Sequence, residues 1–229
     1  MPRPAKPLIS YDAVIETSLR IIDSEGLDAF SLPRLARELN VRAPSLYYHF
    51  ADKAEILRGI ARAIVVETRL PDEEVVPNWI EWFVALSLNF REVVLRHRNA
   101  APVLLEFMPR DVLIRTYDNS ARFLAELGVP PAAQVVILDG LDKLTLGASI
   151  TEAAKDPADA GQVFAHVDPR SEPTLATAVR ASGLTPDEVF AESIRSFLRG
   201  AVPDVAADAP PPRRRPGGTV GDLETPTAS

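Results

Sequence analysis

Apolar residues recur at three- and four-residue intervals along nearly the whole chain, and strand-like alternation is scarce. Ile15, Leu19 and Ile22 stand at i, i+4 and i+7, so a first helix is expected to start near Ser10, a good N-cap, and to end at Gly26. A second helix starts near Ser31, with Pro33 in its first turn where a missing N–H costs nothing, and stops at Asn40. A short third helix covers Ala43 to His49, and Asp52 caps a fourth with Glu55 three residues on. Leu70-Pro71-Asp72-Glu73-Glu74 breaks the pattern and reads as a domain boundary. Longer helices are expected over Pro77–Arg96, Ala101–Phe107, Arg110–Leu127 (closed by Gly128), Pro131–Ala154, and from Thr185 to about Gly200. Thr185-Pro186-Asp187-Glu188 combines a capping box with proline at N1. Residues 156–173 read as a loop, and 203–229, with six prolines and few large apolar groups, as a disordered tail. The fold class is all-α.

The second and third helices and the turn between them form a helix-turn-helix. Ala36 is small enough for a close approach, and Val41 plugs the turn. Leu46 and Phe50, at i and i+4, face the core. The period then turns Arg42, Ala43, Ser45, Tyr48 and His49 outward, with Tyr47 at the boundary. Core aromatics are the alternative reading of the two tyrosines, but a short helix cannot bury both.

Net charge is −7 over 229 residues, which by itself gives no reason to expect a nucleic-acid partner. The distribution changes that. Residues 31–69 carry seven Lys/Arg against four Asp/Glu, whereas residues 70–200 carry twelve against nineteen. A basic segment on an acidic body, with Tyr, His, Ser and Arg on one helical face, suits a DNA duplex. The helix fits the major groove, and these side chains donate to phosphates or to base edges.

With those residues in place, "SLPRLARELNVRAPSLYYHFADKAEIL" resembles the DNA-binding domain of TetR-type transcriptional regulators over about residues 10–65. The resemblance implies a homodimer that offers one reading helix to each half of a palindromic operator. It implies DNA contacts from Ser31 and Arg34, from Arg42, Ala43, Pro44, Ser45, Tyr47, Tyr48 and His49, and from Lys53. The rings would hold phosphates and set register. Arg42, at the start of the third helix, is the candidate for a guanine.

The body is similar to the tetracycline-repressor branch through the aromatic helix Trp79–Phe90, the "HRNAAPVLLEFMP" stretch and "LTLGASITEAAK". In that branch a histidine in the short helix serves the drug–magnesium site; Leu104 stands there, and Leu86 stands where an amide grips the drug. The resemblance therefore implies an effector that is more apolar than tetracycline. Trp82, Leu86, Phe90, Leu104, Met108 and Tyr117 are candidate pocket residues between helices. Core packing is the other reading of each. Asp139 and Lys143 are spaced to pair, and Asp142 either belongs to that surface or orients an effector. The Pro131 helix and the last helix, with Val189, Ile194 and Phe197, are expected to pack against their symmetry mates as a four-helix interface, burial within one subunit being the other reading.

The domains so read are an arm over 1–9, the helix-turn-helix domain over 10–70, an effector-binding and dimerisation domain over 71–202, and the tail over 203–229. Within the tail, Arg213-Arg214-Arg215 is a solvated run or an auxiliary DNA contact. There are no cysteines, no glycine-rich phosphate loop and no Ser/His/Asp set in a catalytic motif. His97 and His166 have no partners at metal spacing in sequence, so no metal or cofactor is expected, nor an enzyme. No secretion signal or 18-residue apolar run is present, and a cytoplasmic regulator is expected. Most simply it is a repressor released by a small apolar effector. An architectural DNA-binding protein without effector is the second reading.

Overall fold

The computed structural model describes residues 10–72, 75–202, 205–211 and 218–223. The N-terminal arm and Arg213–Arg215 lie outside the described residues.

Ser10 accepts the Ala13 N–H at 3.2 Å and starts α1 (Tyr11–Glu25). Ser31 caps α2 (Leu32–Glu38), and Asn40 makes the turn with φ at 52°. Asn tolerates this left-handed backbone better than most residues. α3 is shorter than its sequence period suggests: only Ala43–Leu46 is α-helical. Leu46 O accepts both the His49 N–H and the Phe50 N–H at 3.0 Å, so the chain tightens into a turn over Tyr47–His49. Asp52 then caps α4 (Lys53–Val66) at 2.7 Å from Glu55 N, while the Glu55 carboxylate takes the Ala51 N–H. Leu35, Leu46, Phe50, Ile56 and Ile60 are all buried in this domain's core.

The body runs α5 (Trp79–Arg96), α6 (Ala101–Phe107), α7 (Arg110–Glu126), α8 (Pro131–Ala153), α9 (Pro173–Ser182) and α10 (Pro186–Ala201). α5 packs on α8 and α10, and α8 also packs on α7. A second core of Trp79, Trp82, Phe83, Ile137 and Ile194 holds these helices together. Both atoms groups of the capping box at Thr185 and Glu188 are satisfied.

Ile194 is fully buried and Phe197 packs over Gly140 of α8, so these two side chains have partners within the chain. One expectation is corrected here. Residues 205–211 and 218–223 do not form a free tail. Trp79 Nε1 donates to Ala206 O at 3.0 Å, and Thr219 bridges to Arg69. Among the described residues, no helix is long and apolar enough to cross a membrane.

Candidate functional site

The helix-turn-helix presents one outer face. Arg42 occupies the N-cap of α3 in extended backbone, exposed and without an ion-pair partner among the described residues. Pro44 is exposed in the first turn, and Ala43 and Ser45 are half-buried beside it. Tyr47 and Tyr48 are 57% and 89% exposed, and His49 is exposed with them. The rings are held out because Leu46 and Phe50 anchor the turn. Phe50 stacks on Tyr11 of α1 with ring centroids 5.0 Å apart. The result is a row of donors and aromatic surface whose side chains have no hydrogen-bond partner among the described residues.

Two other candidates sit differently. Arg34 is bracketed by Glu38 of its own helix at 2.8 Å and by Glu25 at 2.6 Å, the latter tying α2 to the end of α1. These bonds hold both carboxyls below the usual range and push the guanidinium up. Lys53 Nζ donates to Phe30 O at 3.0 Å and lies 5.3 Å from that ring's centroid. Both cations are committed to the domain's own frame. Ser31 spends its acceptor on the Arg34 N–H at 3.3 Å.

A second candidate site lies in the body, a half-open cavity of about 100 Å³ between α4, α5, α7 and α8. Leu86, Phe90, Met108, Tyr117 and Asp142 are on its wall. Trp82 and Leu104 are not. Both are buried in the cores on either side, and α5 turns Phe83, Leu86, Ser87 and Phe90 toward the cavity at i, i+3, i+4 and i+7. Trp82 lies about 90° of helix from the centre of that stripe, just outside its Leu86 edge. Sequence reading missed Val65, Thr68, Thr116 and Val220, whose place on the wall has no periodic signal of its own.

The polar groups of the cavity are few. Tyr117 OH donates to Asp142 Oδ1 at 2.6 Å. Burial, then this bond, pushes the phenol up, so it stays protonated. Thr145 Oγ1 donates to Ser87 Oγ at 3.0 Å. The hydroxyls of Thr68 and Thr116 are buried and have no hydrogen-bond partner among the described residues. Asp139 pairs with Lys143 on the exposed side of α8.

The two sites share α4, and further contacts brace the joint between them. Arg62 of α4 meets Asp111 of α7 at 2.7 Å. His97, at the end of α5, lies 2.7 Å from Asp23 of α1 and 3.4 Å from Glu67 just after α4. These carboxylates are far from His97 in sequence, so its structural role could not be read from spacing. His166 meets Asp159 at 2.9 Å on the surface. No group of three or more His, Cys, Asp or Glu placed to hold a metal ion occurs among the described residues.

Residues 14–60 match the family model described as "Bacterial regulatory proteins, tetR family", and residues 70–202 match "Tetracyclin repressor-like, C-terminal domain". The chain is 28% identical over 198 residues to the tetracycline repressor protein class E of Escherichia coli, covering 84% of this chain and 90% of that one. Its fold is similar to the Streptomyces coelicolor TetR family protein ActR in complex with actinorhodin, with a TM-score of 0.67, 24% identity and coverage of 85% and 97%. It is also similar to BioQ with its double-stranded DNA operator, with a TM-score of 0.56, 19% identity and coverage of 82% and 99%.

Proposed function

Because the chain belongs to the TetR family of bacterial regulatory proteins, ligand-responsive DNA-binding regulators, we propose that it is a repressor that sits as a homodimer on a palindromic operator. A small, largely apolar effector entering the body cavity releases it. The observation that carries this reading is the position of α4. Its Ile56, Ile60 and Ile64 form the floor of the helix-turn-helix domain, and its last turn contributes Val65 to the cavity wall. Anything that swells the cavity pushes on the helix that aims the reading face.

The coupling is thermodynamic. The effector must bind more tightly to the geometry that does not fit DNA, in which the two reading helices depart from the roughly 34–36 Å spacing of successive major grooves. In this reading Arg42 contacts a base, Tyr47, Tyr48 and His49 hold phosphates, and Ala43, Pro44 and Ser45 line the groove. Ser31 flanks them, while Arg34 and Lys53 brace the domain. Exposed Val135, Val136 and Leu144 on α8 supply apolar surface for the second subunit. The apolar Leu86 on the wall, and Leu104 off it, favour an effector other than tetracycline. An architectural role without effector leaves the cavity and its unpaired hydroxyls without a use.

The test is selection of bound sites from random DNA, with and without a panel of apolar metabolites, followed by anisotropy titration of the winning duplex. The expected product is a palindrome whose affinity falls on adding an active compound. If no palindrome is enriched, the repressor reading fails. If one is enriched but no compound moves it, the architectural reading replaces it.

A further inference from the structure

Residues 218–223 lie beyond residue 202, where the family match ends, yet Val220 among them lines the cavity. Val220 is 2% exposed and forms part of the wall. The segment is held from both domains. Val220 N donates to Thr68 O, and Leu70 N donates to Gly218 O, both at 2.8 Å, which fixes it to the linker after α4. Arg115 Nη1 of α7 donates to Leu223 O at 2.8 Å. Asp222 closes the turn by accepting from Thr219 N at 2.6 Å and Thr219 Oγ1 at 3.0 Å. Gly221 lies close to α4: a Cβ there would sit 3.0 Å from Val66 Cβ, a tight contact that a larger residue could take only if its neighbour gave by a few tenths of an ångström.

Thr68 is the meeting point. Its carbonyl anchors Val220, and its hydroxyl is one of the two unpaired ones on the cavity wall. Buried hydroxyls are normally paired, so two orphans on one wall mark a place for a ligand oxygen. The rings of Phe83, Phe90 and Tyr117 supply flat apolar walls, and Asp142, already bonded by Tyr117, disfavours an anion.

We infer that the segment Gly218–Leu223 is part of the effector site. Val220 forms one wall, and the Thr68 and Thr116 hydroxyls beside it take a hydroxyl or carbonyl oxygen of a neutral aromatic effector. This rests on the effector reading above and names the ligand class it implies. It also makes a C-terminal extension, outside the matched family span, a determinant of ligand size.

Phenol and toluene are the probes: nearly the same shape, one with a hydroxyl and one with a methyl. Cavities of this order accept a single benzene-sized ring. By titration calorimetry on the full chain, phenol binds about tenfold more tightly than toluene, the worth of one net hydrogen bond. Thr68→Val, which keeps the shape, brings that ratio close to one. Val220→Ala admits 1-naphthol more tightly than wild type does. Should that variant fold poorly by circular dichroism, Val220→Thr keeps the volume and raises the phenol-to-toluene ratio instead. Wild-type ratios in Thr68→Val, together with unchanged 1-naphthol binding in Val220→Ala or an unchanged ratio in Val220→Thr, overturn the inference and leave the effector reading standing. If wild type binds neither probe, both the inference and the cavity reading fail, while operator binding is judged separately.

Discussion

Lys53 offers the sharpest separation of scaffold from DNA contact. Placed at the start of α4 beside the reading face, it has the sequence position of a phosphate-binding residue. The structure ties its ammonium to Phe30, whose carbonyl accepts at 3.0 Å and whose ring centroid is 5.3 Å away. Phe30 is 1% exposed and precedes the α2 N-cap, so this clasp holds the α1–α2 turn against α4. Lys53→Met keeps most of the methylene stem and deletes the ammonium, with its charge and its donors. The lost hydrogen bond contributes about 0.5–1.5 kcal/mol net. The cation–π contact at an exposed site adds about 0.5–1 kcal/mol. Lys53→Met should therefore cost about 1–2.5 kcal/mol in urea unfolding at fixed protein concentration. A chain of this size would lose about 2–4 °C of Tm per kcal/mol. A residue that neutralises a phosphate gives a different result. It contributes about 0.9 to the slope of log affinity against log salt, read by anisotropy between about 50 and 200 mM salt. The expected outcome is a lower urea midpoint with an unchanged slope. An unchanged midpoint, with a slope smaller by about one per subunit, would refute the clasp and restore Lys53 to the phosphate contacts.

Arg42→Ala should leave Tm unchanged and cost about 1–3 kcal/mol at the selected operator, with preference relaxed at one base pair in a panel of single-position variants. Tyr48→Ala, at 89% exposure, should move stability by less than about 0.5 kcal/mol yet weaken all duplexes alike. Gly140→Ala and Gly147→Ala gain the same helix propensity on the same helix. A Cβ at Gly140 would meet Phe197 Cζ at 2.3 Å while Gly147 has open space, so Gly140→Ala should come out about 1–3 kcal/mol less stable than Gly147→Ala in chemical denaturation. Equal values would remove the α8–α10 close contact from the account. The hydrogen bond from Arg195, and then its charge, hold the Glu81 carboxyl below its ordinary value of 4.5. A depressed carboxyl stabilises the fold above the unfolded value, and that contribution disappears as pH falls through the folded value. Glu81→Gln should therefore flatten the acid limb of a Tm-versus-pH curve below about pH 4.5, and an unchanged limb would assign it to other groups.

Much of the fold was legible because its signals are local. Caps such as Ser10, Asp52 and Thr185 act within three residues, and the stripe Ile15, Leu19, Ile22 needs only the helical period. The same locality exposed the reading face, since Leu46 and Phe50 turned inward force Tyr48 and His49 outward. The cavity was less legible. Trp82 and Phe83 are neighbours on a helix that is apolar on several sides, and which of them faces a void depends on how α7, α8 and α10 surround it.

By itself the sequence determined most of the helices, their caps and which side chains of the helix-turn-helix turn outward, because each follows from spacings within a few residues along one chain. Only the tertiary structure decided the intrachain partners Glu25 of Arg34 and Phe30 of Lys53, because these reach them through turns between helices. It also decided the fate of the C-terminal segment. Composition counts the apolar groups a segment carries, and 218–223 carries few. It does not count the surface that the rest of the chain offers. Val220 needs only the slot between α4 and α7, and the Thr68 and Leu70 main chain supplies the hydrogen bonds that hold it there.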